Sequence, residues 1–271
     1  MTMNLHDATR DATPDGNSLA AKIKTSLRRR SLSRSASEQW EQFAQSNPYR
    51  YILTTPKLVD PREFWKTGER TIATEILPFL RRYNVRMHLG LELGCGIGRL
   101  VIPLASYFQR VVGADVSPSM IQRATSFAQN NGINNVSFCA ITGPEDFLHQ
   151  CGELSKSCDF IYSILVFQHI PDFPMIEGYL HVIRVLLHKC GLAYLQFDTR
   201  PSSVAYRLKT RLPDFLLPRL WRRGIRRIRR SPDEVEGAIK RASLEIVAQH
   251  FPQSAYHQYL LRISTRRPEA K

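Results

Sequence analysis

The segment Glu92-Leu93-Gly94-Cys95-Gly96-Ile97-Gly98-Arg99 constrains this chain more than any other stretch. It follows an apolar lead-in, Met87 to Leu93, that reads as a central strand. Glycine at every second position lets the backbone turn tightly and lets a ligand approach it closely. The helix expected next, Gly98 to Ser106, would open with free amides and a positive end. Asp115 closes the following short strand, Arg110 to Ala114, where an acid can accept both hydroxyls of a ribose. Strand, glycine turn, helix, strand and acid form the order of a nucleotide-binding α/β unit.

Glu92 makes this unit unusual. In a dinucleotide site the helix end holds a pyrophosphate. A carboxylate pointing inward just before the turn would repel that group and attract a cation, such as an ammonium. Glu92 and Asp115 together fit a nucleoside carrying an amino acid tail better than a dinucleotide.

The rest of the chain supplies alternating elements. Ser117 and Pro118 read as cap and first residue of a helix running to Asn130, closed at Gly132. Val136 to Ile141 is a strand. Thr142 and Glu145 have capping-box spacing for a short helix to Cys151. Cys158 to Leu165 is a strand, 172–188 a helix and Gly191 to Phe197 a fifth strand. After a helix capped at Ser231, Leu244 to Ala248 and Tyr256 to Thr265 form an antiparallel hairpin at the sheet edge. The pattern predicts a parallel sheet covered on both faces. Upstream, 1–18 is polar and expected to be a disordered tail. Residues 19–85 are expected to form a helical cap, and 86–271 the core with a basic insert at 199–230.

These motifs resemble the class I S-adenosylmethionine-dependent methyltransferases, in their small-molecule and natural-product branch. The match runs through Glu92 to Gly98, Asp115-Val116-Ser117-Pro118-Ser119-Met120 and Ile164 to Ile170. The resemblance implies a Rossmann-like sheet of seven strands, mostly parallel, with an antiparallel last strand and helices on both faces. It implies S-adenosylmethionine as cofactor and S-adenosylhomocysteine as product. Glu92, Gly94, Cys95, Gly96 and Gly98 would face the methionine part. Asp115 would bind ribose, with Val116 and Met120 flanking adenine and Ile141 and Thr142 approaching it from the third strand. Leu165 would lie beneath the cofactor. Trp65, on a helix with Gly68 as a point of close approach, would be a lid aromatic.

An alcohol or phenol acceptor must lose a proton, and histidine is the usual agent near neutral pH. His169, in the turn after the fourth strand, is the candidate base, with His250 and His257 behind it. Gln168-His169-Ile170-Pro171 departs from the Asn/Asp-Pro-Pro-aromatic pattern of nucleobase amino methyltransferases, and no paired cysteines suggest carbon-5 pyrimidine chemistry. The expected activity is O-methylation of a small molecule, such as a glycosylated or carrier-bound natural product. The alternatives are N-methylation of a small amine, peptide or RNA, and an inactive scaffold that binds cofactor and recruits an anionic partner.

Charge bears on partners. A net charge of +14 attracts anions of several kinds. From Arg207 to Arg230 the insert is rich in arginine, and Leu217, Trp221, Ile225 and Ile228 predict an amphipathic basic helix. It would pack on the domain or bind an anionic ligand or acidic carrier, with nucleic acid disfavoured but retained. Five cysteines without a CxxC pair predict a reducing, cytoplasmic setting and no metal. No apolar run is long enough for a transmembrane helix.

Overall fold

The computed structural model describes residues 37–53, 60–217 and 227–265. Its centre is a seven-stranded sheet of order β3-β2-β1-β4-β5-β7-β6. The strands are β1 (Leu89–Leu93), β2 (Arg110–Asp115), β3 (Val136–Ala140), β4 (Cys158–Ser163), β5 (Leu187–Phe197), β6 (Leu244–His250) and β7 (His257–Ile263). The first five pair in parallel, and β7 runs antiparallel to both β5 and β6. This is the Rossmann-like arrangement with one reversed strand. The hairpin does end the sheet, with β6 at the edge and β7 inserted beside β5.

Strand order reverses between β1 and β4, so the crevice at their carboxyl ends is where a doubly wound sheet binds ligands. All of β1 is buried, as a central parallel strand must be. Side chains alternate across it. Leu91, Leu93, Ile161, Ala193 and Leu195 pack on one face, with Ile176, Leu180 and Ile183. Phe160, Tyr162, Leu192 and Tyr194 pack on the other, with Leu77, Leu80, Leu100 and Leu104. Glu92 belongs to this second face, where its carboxylate is 3% exposed. A carboxylate buried in a central strand costs stability that only function explains.

The helices follow in chain order: α1 (37–46), α2 (Pro48–Ile52), α3 (Pro61–Thr71), a π-helical turn (Ile72–Ile76), α4 (Leu77–Arg82), α5 (Val101–Leu104) and α6 (Pro118–Asn130). Then come α7 (Pro144–Cys151), α8 (Phe173–Leu186), α9 (Val204–Arg211) and α10 (Pro232–Arg241). Caps explain several starts. Asp60 accepts the amide of Arg62 at 2.7 Å, Ser117 that of Met120 at 3.1 Å and Ser231 that of Glu234 at 3.1 Å, each before a proline at the first helical position.

Three local expectations change. The helix after the glycine turn begins at Val101, because Gly98 has φ +87° and Leu100 lies outside regular helix. At α7 the capping box does not form. Gly143 is the cap, and Asp146 accepts the amide and hydroxyl of Thr142 at 2.7 and 3.2 Å. The predicted basic helix lies mostly outside the described residues, including Trp221 and Ile225. Its described end, 227–230, is not helical. There Ile228 donates its amide to the Gln168 carbonyl at 2.7 Å, and Arg230 Nη2 donates to the carbonyls of Ile170 and Pro171. Through Ile228 and Arg230 this segment is fastened to the loop after β4. The tail at 1–18 also lies outside the described residues.

Candidate functional site

The glycine turn is a cradle. Gly94, Gly96 and Gly98 have φ of +77°, +54° and +87°, the left-handed region that favours glycine. A β-carbon on Gly94 would stand 2.2 Å from Val166 Cγ2. Asp115 fastens the turn to β2. Its Oδ2 accepts the Gly96 amide at 2.8 Å and its Oδ1 the Ser117 amide at 2.9 Å. Burial pushes the Asp115 carboxyl above its ordinary range, opposed by these amides and that of Val116. Each oxygen keeps a lone pair for a further donor.

Glu92 sits one strand away. Burial pushes its carboxyl up to about 8, against the opposing charge of Arg99 and a hydrogen bond from Tyr162. The Tyr162 hydroxyl donates to Glu92 Oε2 at 3.1 Å. A neutral acid that ionises when a cation arrives suits an ammonium group.

Glu92, Gly94, Cys95 and Gly96 line one cavity with Asp115, Val116 and Met120. Ile141, Thr142, Leu165 and His169 complete it from the ends of β3 and β4. Gly98 does not line it; it turns the chain toward α5 and faces Phe138. Trp65 does not line it either. Its ring stacks on Phe127 of α6, with centroids 3.9 Å apart, on the outside of the cap. Trp40 instead lines the cavity and meets the His169 ring edge-on at 5.4 Å. The family resemblance pointed to α3, with Gly68 as the point of close approach. That approach is real, but it brings the α3 backbone to Arg99 and leaves Trp65 on the far side.

The cap is docked by polar contacts. Glu41 of α1 accepts the Ser117 hydroxyl at 2.6 Å and the Ser119 amide at 3.2 Å, and also the Ser119 hydroxyl. Burial works to raise the Glu41 carboxyl, but the two serines together hold it low. Ser37 donates to the Val116 carbonyl at 3.3 Å. These contacts place Trp40 and Ile52 over the glycine turn.

A second cleft, of about 670 Å³, opens on the same side of the sheet. It shares Arg99, Ile164 and Leu165 with the first cavity. Leu165 holds φ +64°, a strained value for a bulky residue. His250 lines this cleft, whereas His257 is occupied: its ring nitrogens pair with Thr199 Oγ1 and Gln249 Oε1, each at 2.8 Å. Arg99 and the cleft were not legible beforehand, because they depend on how α3 and the final hairpin pack. Among the described residues no cluster of His, Cys, Asp or Glu could hold a metal ion, and no helix is long and apolar enough to cross a membrane.

Comparison with known proteins agrees with this geometry. Residues 91–191 match a protein family described as a methyltransferase domain. An uncharacterized RNA methyltransferase of Nostoc is 33% identical over 81 residues, 30% of this chain and 18% of that protein. A 23S rRNA (uracil(1939)-C(5))-methyltransferase of Edwardsiella ictaluri is 40% identical over 104 residues, 38% of this chain and 24% of that protein. The chain thus spans less than a quarter of the length of these curated relatives. Among solved structures, an S-adenosylmethionine-dependent methyltransferase from Anabaena variabilis superimposes with a TM-score of 0.56 at 21% identity, covering 84% of this chain and 94% of that one. A magnesium protoporphyrin IX methyltransferase from Synechocystis with bound S-adenosylhomocysteine gives 0.56 at 17% identity, covering 83% and 97%. The fold is that of the class I S-adenosylmethionine-dependent methyltransferases.

Proposed function

We propose that the first cavity holds S-adenosylmethionine and that the chain transfers its methyl group to an oxygen or nitrogen acceptor. The observation that carries this reading is the convergence of Glu92, the glycine turn and Asp115 on one cavity. When bound, the cofactor supplies a methyl group activated by a sulfonium, and its transfer requires the acceptor to shed a proton. Glu92 receives the ammonium of the amino acid tail, and Arg99, buried beside it, faces the carboxylate. Asp115 takes the ribose hydroxyls. Val116, Met120, Ile141 and Thr142 enclose the adenine, and Trp40 and Ile52 exclude water from above. His169 and His250 are the two histidines placed to take the acceptor's proton.

RNA is the acceptor class that the two sequence relatives favour, since both are RNA methyltransferases, and a net charge of +14 suits a polyanion. Carbon methylation needs a nucleophile to activate the ring; Cys95, which lines the first cavity, is buried, and burial beside Asp115 and Glu92 pushes its thiol up. A small-molecule hydroxyl is the second reading, supported by a cleft of small-ligand size beside the cofactor cavity. Calorimetry with S-adenosylhomocysteine tests the donor assignment. Binding is expected, weakened at least about tenfold by Asp115→Ala through loss of charge-assisted hydrogen bonds. Equal affinity in the variant refutes the ribose assignment.

A further inference from the structure

We propose that the second cleft is the acceptor pocket and that it takes a single planar ring bearing carbonyl or hydroxyl oxygens. This rests on the reading that the first cavity holds the methyl donor. The two spaces meet at Arg99, Ile164 and Leu165, so a ring in the cleft can reach the donor without crossing the sheet.

The donor set identifies the ring's chemistry. Tyr194 and Gln196 line the cleft at 1% and 2% exposure, and Tyr194 Oη and Gln196 Nε2 have no hydrogen-bond partner in the protein. An unpaired buried donor costs free energy that a ligand oxygen would recover. Both residues belong to β5 and, two positions apart, point to the same face about 7 Å from each other. The third unpaired atom, His250 Nε2, belongs to a row continuing from Gln196 across the sheet: Gln196 is in register with Gln258, and Gln258 with His250.

The walls suit a flat ring. Phe79 lies 5.3 Å from the Tyr194 ring and 4.8 Å from the His250 ring. The facing wall is the π-helical turn, where the Leu77 amide bonds to the Ile72 carbonyl. Such turns often mark functional sites, and this one presents Thr74 and Glu75 to the cleft. At the mouth, Phe251 and Tyr256 are 64% and 50% exposed, and Phe251 is held at φ +52°. Arg227 lies over the Tyr256 ring at 4.9 Å. A free phenol and a base extruded from RNA share this chemistry, and Arg227 at the mouth would meet a phosphate in the second case.

Saturation-transfer NMR on the full chain loaded with S-adenosylhomocysteine tests the pocket with catechol, uridine and cyclohexanol as probes. Catechol and uridine are expected to bind and cyclohexanol not to. Tyr194→Phe should weaken both ring probes about tenfold. Its melting temperature should be unchanged or higher, because the lost hydroxyl has no partner in the fold. Should Tyr194→Phe impair cofactor binding, Gln196→Met replaces it. Loaded protein that engages neither ring, or a variant that binds them unchanged, overturns the proposal. Failure to bind S-adenosylhomocysteine at all defeats the donor reading instead. Radiolabelled methyl transfer then separates the sources. Label in RNA, reduced by Arg227→Glu, identifies an extruded base; label in catechol alone identifies a free ring.

Discussion

The Tyr162 hydroxyl donates a 3.1 Å hydrogen bond to Glu92 Oε2, and the two residues are direct neighbours across β1 and β4. The pair makes ligand binding depend on pH. With its carboxyl pushed up to about 8, Glu92 in the folded protein keeps a proton that the unfolded chain has lost. Stability from this group is therefore fully present below the ordinary carboxylate pKa and is lost as pH rises through about 8. Binding of an ammonium favours the ionised form and has the opposite slope. Affinity for S-adenosylhomocysteine should rise by up to about tenfold per unit between about pH 6 and about pH 8, with release of a proton. Calorimetry in buffers of different ionisation enthalpy reads that proton. Glu92→Gln should flatten the profile, and Tyr162→Phe should move its plateau to higher pH by removing a donor that favours the carboxylate.

Gly68 sets how closely the cap sits on the turn. A β-carbon there would lie 2.1 Å from the Arg99 carbonyl oxygen. Gly68→Ala must push α3 from the backbone that leaves the glycine turn, at an overpacking cost of about 1–3 kcal/mol. A lower melting temperature with weaker S-adenosylhomocysteine binding is expected. An unchanged melting temperature would show that α3 is not pressed on Arg99.

Much of the first cavity was legible because it is local. The glycine turn, Asp115 and the cap at Ser117 each depend on residues adjacent in sequence, and Glu92 betrayed itself as a charge in an apolar run. The second cleft was not legible for the same reason. Tyr194, Gln196 and His250 look like ordinary strand residues until β7 inserts between β5 and β6 and aligns them. The π-helical turn at Ile72–Ile76 left only imperfect apolar spacing as its sequence signal. Trp65 was placed at the cavity by resemblance, and the sequence around it does not say which face of α3 meets the glycine turn.

Two tryptophans therefore separate in function. Trp40 lines the first cavity, whereas Trp65 stacks on Phe127 outside it. Trp40→Ala should weaken S-adenosylhomocysteine binding by about tenfold or more, the worth of about 1.5 kcal/mol of aromatic contact. Trp65→Ala should lower the melting temperature, at a cost of about 3 kcal/mol if the gap left beside Phe127 does not close, with affinity nearly unchanged. Calorimetry and thermal unfolding on the same preparations decide between them, and equal losses of affinity would mean the cap moves as one unit.

The histidines invite the last prediction. His169 is 4% exposed, and its Nε2 lies 3.2 Å from Gln168 Nε2, an amide donor that occupies the ring nitrogen's lone pair. His250 offers an Nε2 with no partner to the second cleft. If a ring enters that cleft, His250 is the histidine it meets. His250→Ala should lower kcat by about 100-fold or more while leaving S-adenosylhomocysteine affinity nearly unchanged. His169→Ala should act mainly on cofactor affinity, because it removes the ring against which Trp40 packs. The reverse outcome, with turnover lost in His169→Ala and kept in His250→Ala, would return the proton to the turn after β4 and place the acceptor on the Trp40 side of the cofactor.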